Sequence, residues 1–158
     1  MKSLLVGNWK MHGGLEVMQS LFDGLVAGSQ GNADVEWVVC PSYVYLPMAQ
    51  DLLFDSGIAW GAQNVSSEHQ GAYTGEVSVE MLADYGCAWV IVGHSERRHL
   101  FAESHDMVAK KCLQAISSGL NPIFCVGEKE QEREQGLTEQ VIEGQLRALL
   151  DVVDDKLR

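Results

Sequence analysis

The strongest constraint on this chain is a change of hydrophobic period that occurs five times over. Short runs rich in apolar and β-branched residues begin near Leu4, Val35, Ile58, Ala88 and Pro122, roughly two to three dozen residues apart. Continuous apolar runs of this length read as strands covered on both faces. Between them the apolar residues recur at helical spacing, as in Leu15, Met18, Leu21, Phe22, Leu25 and Val26, or Leu46, Ala49, Leu52 and Leu53, or Val108, Cys112, Ala115 and Ile116. Gly28, Gly57, Gly86 and Gly119 close these helices, and a turn is expected over Gly31 to Asp34. A single helix is expected from Tyr43 to Asp55. Ser78 reads as the N-cap of a short helix through Tyr85, and Thr138 as the N-cap of a final helix reaching Val153, with Leu137 placed to staple onto Ile142.

Strand then helix, repeated at this spacing, gives βαβ units and hence a parallel sheet with right-handed crossovers. Two α/β architectures fit: a doubly wound open sheet, or a closed barrel cut short. No Gly-x-Gly-x-x-Gly follows the first strand and no Gly-Lys-Ser/Thr occurs, which removes the common nucleotide-binding fingerprints. Polar residues at the ends of several strands favour the barrel, whose sites gather at the carboxyl ends of its strands.

The 158 residues suit one domain or part of one, and 46% hydrophobic with 21% charged residues is a globular composition. A formal charge of −11 argues against nucleic acid and anionic membrane as partners, since phosphate backbones need clustered cations. No apolar run reaches membrane-span length, and the N-terminal apolar stretch meets Asn8 and Lys10 too early for a signal-peptide core. The expected compartment is the cytoplasm. Cys40, Cys87, Cys112 and Cys125 form no Cys-x-x-Cys pair and read as reduced thiols. The five histidines lack metal-ligand spacing, so no metal site is expected.

Chemistry-bearing residues stand where apolar character stops. After Val90, Ile91 and Val92 come Gly93, His94, Ser95, Glu96, Arg97 and Arg98; after Leu4 to Val6 come Asn8 and Lys10. By the period of two, Asn8 and Lys10 share one side of a strand, an amide to orient a hydroxyl and a cation to hold developing negative charge. Ser95 reads as an N-cap, which turns the helix's N–H groups and dipole toward the imidazole and favours a neutral His94 able to donate to a carbonyl oxygen. Glu96, Arg97 and Arg98, and the run Glu128 to Glu134, read equally well as solvated charge patches. The segment Asn64 to Glu76 is polar, aperiodic and too long for an ordinary connection, which marks it as functional.

Several segments together resemble the triosephosphate isomerase family: Gly7-Asn8-Trp9-Lys10-Met11, Gln63-Asn64-Val65, Gly71 through Ser78, Val92 through Arg98, and Cys125-Val126-Gly127-Glu128. The resemblance covers the whole chain and implies a (β/α)₈ TIM barrel, a homodimer, no cofactor, and interconversion of dihydroxyacetone phosphate with glyceraldehyde 3-phosphate through an enediolate. It implies substrate contacts from Asn8 and Lys10, a neutral electrophilic His94, as in a well-known example of pKa tuning, supporting roles for Glu96 and Cys125, and a loop carrying Thr74 into a partner subunit. Residues 1 to 158 then correspond to the first five βα units. Strands six to eight, with the catalytic glutamate, the lid and the phosphate-gripping loops, are not represented, and Glu128 is not in the position of that base. The expectation is a truncated barrel with little or no activity alone. The alternatives are a non-catalytic half-barrel acting through self-association, and another phosphosugar barrel enzyme.

Overall fold

The computed structural model describes residues 2–31 and 34–157; the centre of the turn expected over Gly31 to Asp34, Asn32 and Ala33, lies outside them. Five strands form one parallel sheet in sequence order: β1 (Ser3–Asn8), β2 (Val35–Cys40), β3 (Ile58–Ala62), β4 (Trp89–Val92) and β5 (Asn121–Phe124). Their register pairs Asn8 with Cys40, Val38 with Ala59, Gly61 with Trp89, and Val92 with Phe124. A doubly wound sheet reverses its strand order at a switch point, and this one does not. The result is a curled half-barrel, five units of a TIM barrel, with β1 and β5 as its outer strands.

The helices between the strands are α1 (Leu15–Ser29), α2 (Leu46–Leu53), α3 (Val79–Asp84), α4 (Ser95–Leu100), α5 (His105–Ser117), α6 (Glu130–Glu134) and α7 (Thr138–Leu157). Two boundaries depart from expectation for identifiable reasons. The helix expected from Tyr43 breaks into a 3₁₀ turn (Tyr43–Tyr45) and α2, because Pro47 has no N–H to give the Tyr43 carbonyl, which takes the Leu46 N–H instead. Thr138 does not cap α7: the Leu137 carbonyl accepts from Val141 N–H, and the threonine hydroxyl goes to Glu128 Oε1 at 3.4 Å. Ser78 does cap α3, accepting from Met81 N–H at 3.4 Å.

Alternation along the strands divides the core. Outward, Val39 and Ile58 pack under Met18 and Phe22 of α1 and Leu53 of α2, while Ala62, Val90 and Val92 pack under Val108, Cys112 and Ala115 of α5. Inward, Val38, Cys40 and Ile91 meet Val6, Ala59, Trp89, Ile123 and Cys125 on the concave face. Each residue type thus finds cover on one of two faces, and the strand ends are left to carry polar groups. On the outer strand β1, Leu4 and Leu5 remain about half exposed. Among the described residues, no helix is long and apolar enough to cross a membrane.

Gly61 fixes how closely β3 and β4 approach, since a Cβ there would run into the carbonyl of its register partner Trp89. Gly61→Ala is expected to destabilise the chain by about 2 kcal/mol or more, the range of overpacked cores. Gly24→Ala, in the exposed middle of α1 with open space around it, is expected to stabilise by about 0.5–1 kcal/mol. Urea denaturation of both variants measures the contrast.

Candidate active site

β1 ends at Asn8, and two residues later the backbone enters the left-handed region, with φ +52° at Lys10. That conformation costs a non-glycine residue roughly 1–2 kcal/mol. It is held from three sides. Asn8 Oδ1 accepts the Lys10 N–H at 3.0 Å, while Ser42 Oγ and Gln63 Nε2 donate to the Lys10 carbonyl at 3.0 and 2.9 Å. Gln63 also donates to Cys40 O at 2.9 Å, so the ends of β1, β2 and β3 are tied through one amide. Lys10 is therefore aimed by a turn, not by the strand alternation expected from sequence.

After β4, Gly93 turns the chain (φ +70°) and His94 itself caps α4: its Nδ1 accepts from Glu96 N–H at 3.3 Å. Ser95 was the expected cap; it is instead the first residue of the helix. Glu96 Oε2 also stands 3.5 Å from that nitrogen. In a neutral ring, an Nδ1 that accepts the Glu96 N–H leaves the proton to Nε2. Glu96 Oε1 accepts from Lys10 Nζ at 2.8 Å. That hydrogen bond, aided by the charge of the Lys10 ammonium, holds the Glu96 carboxyl below the usual carboxylate range.

Asn8, Lys10, Ser42, Gln63, Asn64, His94 and Glu96 line one cavity of about 340 Å³, together with Met11, Tyr43, Arg97 and Phe101. Behind it lies a buried ionic cluster that sequence reasoning missed. Glu103 Oε1 accepts from Arg97 Nε and Lys111 Nζ, each at 2.5 Å, and Lys111 also donates to Asn64 Oδ1 at 2.9 Å. Burial pushes the Glu103 carboxyl up, but the hydrogen bonds from Lys111 and Arg97 outweigh it and leave it lowered. Tyr43 O–H donates to Asn64 O. Arg97 and Arg98 are thus not a solvated patch. Arg98 Nε donates to Gly93 O at 2.7 Å and Nη2 to Cys125 O at 3.0 Å, with the guanidinium 5.6 Å from the Phe124 ring centre.

Other expected site residues lie outside the cavity. Cys125 packs on the concave face below it, its carbonyl accepting from Arg98 Nη2; burial raises its thiol pKa. Thr74 is exposed in a loop closed at its base by Ser66 N–H to Val77 O, 2.8 Å. Glu128 is engaged by Arg133 Nε at 2.7 Å, which lowers its pKa. No group of three or more His, Cys, Asp or Glu side chains among the described residues could hold a metal ion.

The family model for triosephosphate isomerase matches residues 3–157. The chain belongs to the triosephosphate isomerase family. It is 51% identical to the triosephosphate isomerase of Nitrosomonas europaea over 94% of this chain and 59% of that protein, and 52% identical to that of Thiobacillus denitrificans over the same shares. Against the Bordetella pertussis triosephosphate isomerase it is 50% identical, over 98% of this chain and 62% of that protein. The chain thus spans about three fifths of the length of these relatives.

Within this family member, Ser42, Gln63, Glu103 and Lys111 carry structural weight that composition hid. Gln63 and Asn64 stand just past β3, the same strand-end signal that marked Lys10 and His94, and could have been found by it. Glu103 and Lys111 read as surface charges because only the fold brings them together. A carboxyl titration by ¹³C NMR is expected to place Glu96 below ordinary glutamates, and Lys10→Met to return it to their range. The sign follows from the lowered folded value: the pair is complete above the unfolded glutamate pKa and is lost as pH falls through the folded one.

Proposed function

We propose that Asn8, Lys10 and His94 form the electrophilic half of an isomerase site for dihydroxyacetone phosphate and glyceraldehyde 3-phosphate. The observation that carries this reading is the His94 cap, which occupies Nδ1 and leaves Nε2–H to donate. In this reading Nε2–H polarises the substrate carbonyl and shuttles its proton between the two oxygens of the enediolate. The Lys10 ammonium holds the developing negative charge, with Glu96 fixing its direction at 2.8 Å. Asn8 Oδ1 is committed to the Lys10 amide, so its Nδ2 faces the substrate's hydroxyl. Cys125 supports the site through its carbonyl and Arg98. No cofactor enters the chemistry.

Proton abstraction from carbon needs a positioned base. Glu96 is the carboxylate lining the cavity, and Lys10 engages it. The family's glutamate, lid and phosphate loops belong to units beyond the fifth. A chain of these 158 residues therefore turns over little or no substrate alone. The dimer loop would carry Thr74 into a second copy, and the exposed Met11, Val44, Leu100 and Phe101 suit a buried interface. The unpaired thiols suit a cytoplasmic protein. Half-exposed Leu4 and Leu5 on an outer strand favour, as the second reading, a non-catalytic half-barrel acting through self-association.

In a coupled isomerase assay the 158-residue chain is expected to fall at least about 100-fold below a full-length relative, the low end of what a general base contributes; family-like turnover would contradict this. A phosphorylated triose analogue should protect Lys10 from amine modification and its unphosphorylated counterpart should not. Equal protection by both would remove the phosphotriose reading, and no protection together with a large oligomer in light scattering would favour the second.

A further inference from the structure

We propose that Arg98 is a positioning residue for His94, fixing the tautomer and aim of its ring by gripping the peptide carbonyl that precedes it and tying it to the end of β5. The main-chain N–H of Arg98 donates to His94 O at 3.1 Å, and its side-chain Nε donates to Gly93 O at 2.7 Å. The first is the opening bond of α4, open to any residue with an N–H at 98; the second belongs to the arginine side chain and fixes the peptide plane that precedes the His94 Cα, from which the imidazole projects. The other end of the same guanidinium reaches Cys125 O at 3.0 Å, and Cys125 N–H donates to Val92 O at 2.9 Å. The turn carrying His94 is thereby referenced to the end of β5 as well as to β4.

Two further observations point the same way. Gly93 leaves the room this arrangement needs: a Cβ there would lie 2.8 Å from Arg98 Nη2 and run into Val108. Arg98 Nη1 is buried without a hydrogen-bond partner. A guanidinium with an unsatisfied buried nitrogen is a poor choice for stability alone, where an apolar side chain over Phe124 would serve. Its side-chain hydrogen bonds fall on main-chain carbonyls at the two strand ends. A lysine would meet these carbonyls with a single flexible ammonium in place of a planar fork.

The inference rests on His94 acting as the electrophile of the proposed reaction, but its readout requires no substrate. Long-range ¹H–¹⁵N correlation of the labelled 158-residue chain at neutral pH, with His94 assigned by its loss in His94→Gln, reports which ring nitrogen is protonated. The parent is expected to show the Nε2–H tautomer. Arg98→Met is expected to move the two His94 nitrogen shifts toward each other as the tautomers average, with His12 and His69 unchanged. Arg98→Lys should move them in the same direction by a smaller amount, and serves if the methionine variant does not fold. Unchanged His94 shifts in a folded Arg98 variant, judged by circular dichroism, would overturn the proposal. A parent that fails to bind a phosphotriose analogue but shows the Arg98-dependent shift would refute the substrate reading and leave this one standing.

Discussion

The site depends first on the left-handed turn at Lys10. A non-glycine residue rests there only because its N–H and carbonyl are both held, the first by Asn8 and the second by Ser42 and Gln63. Release of those bonds would return the backbone to the extended region and carry the ammonium away from Glu96 and His94. The three anchors come from the ends of β1, β2 and β3, so the turn exists only when those strands are in register. Strain at Lys10 is thus maintained by the sheet that also supplies the core.

The second half of the cluster follows similar logic at β4. Gly93 and His94 turn the chain into α4, a helix that begins with an imidazole as its own cap. Capping occupies one nitrogen of the ring: Nδ1 accepts the Glu96 N–H, and Nε2 takes no part in the cap. Glu96 then joins the halves, its main-chain N–H on His94 and its carboxylate on Lys10. The buried Glu103 cluster backs this helix through Arg97 and the start of the protruding loop through Lys111 and Asn64.

Strand–helix alternation was legible because apolar period reports burial directly, and the meeting of Asn8, Lys10 and His94 in one cavity was legible because all three stand at the ends of parallel strands. What was not legible is instructive. The aim of Lys10 comes from a positive φ that no propensity assigns to lysine. Ser95 looked the better cap from residue type, yet the imidazole one position earlier reaches the Glu96 amide. Arg97 and Glu103 sit six residues apart on either side of a helix end, and Asn64 lies 47 residues from Lys111, so their burial emerges only from packing. Charged runs near helix termini are usually solvated, and that prior hid both arginines.

In the proposed reading, this cluster supplies the electrophilic half of the chemistry. The most direct test is the infrared carbonyl band of dihydroxyacetone phosphate bound to the 158-residue chain in D₂O, followed together with deuterium incorporation at carbon. A band lowered relative to free substrate, restored in His94→Gln, with no deuterium gained at carbon, is the predicted result. An unshifted band, or one lowered equally without His94, would contradict the assignment of Nε2–H as the polarising donor.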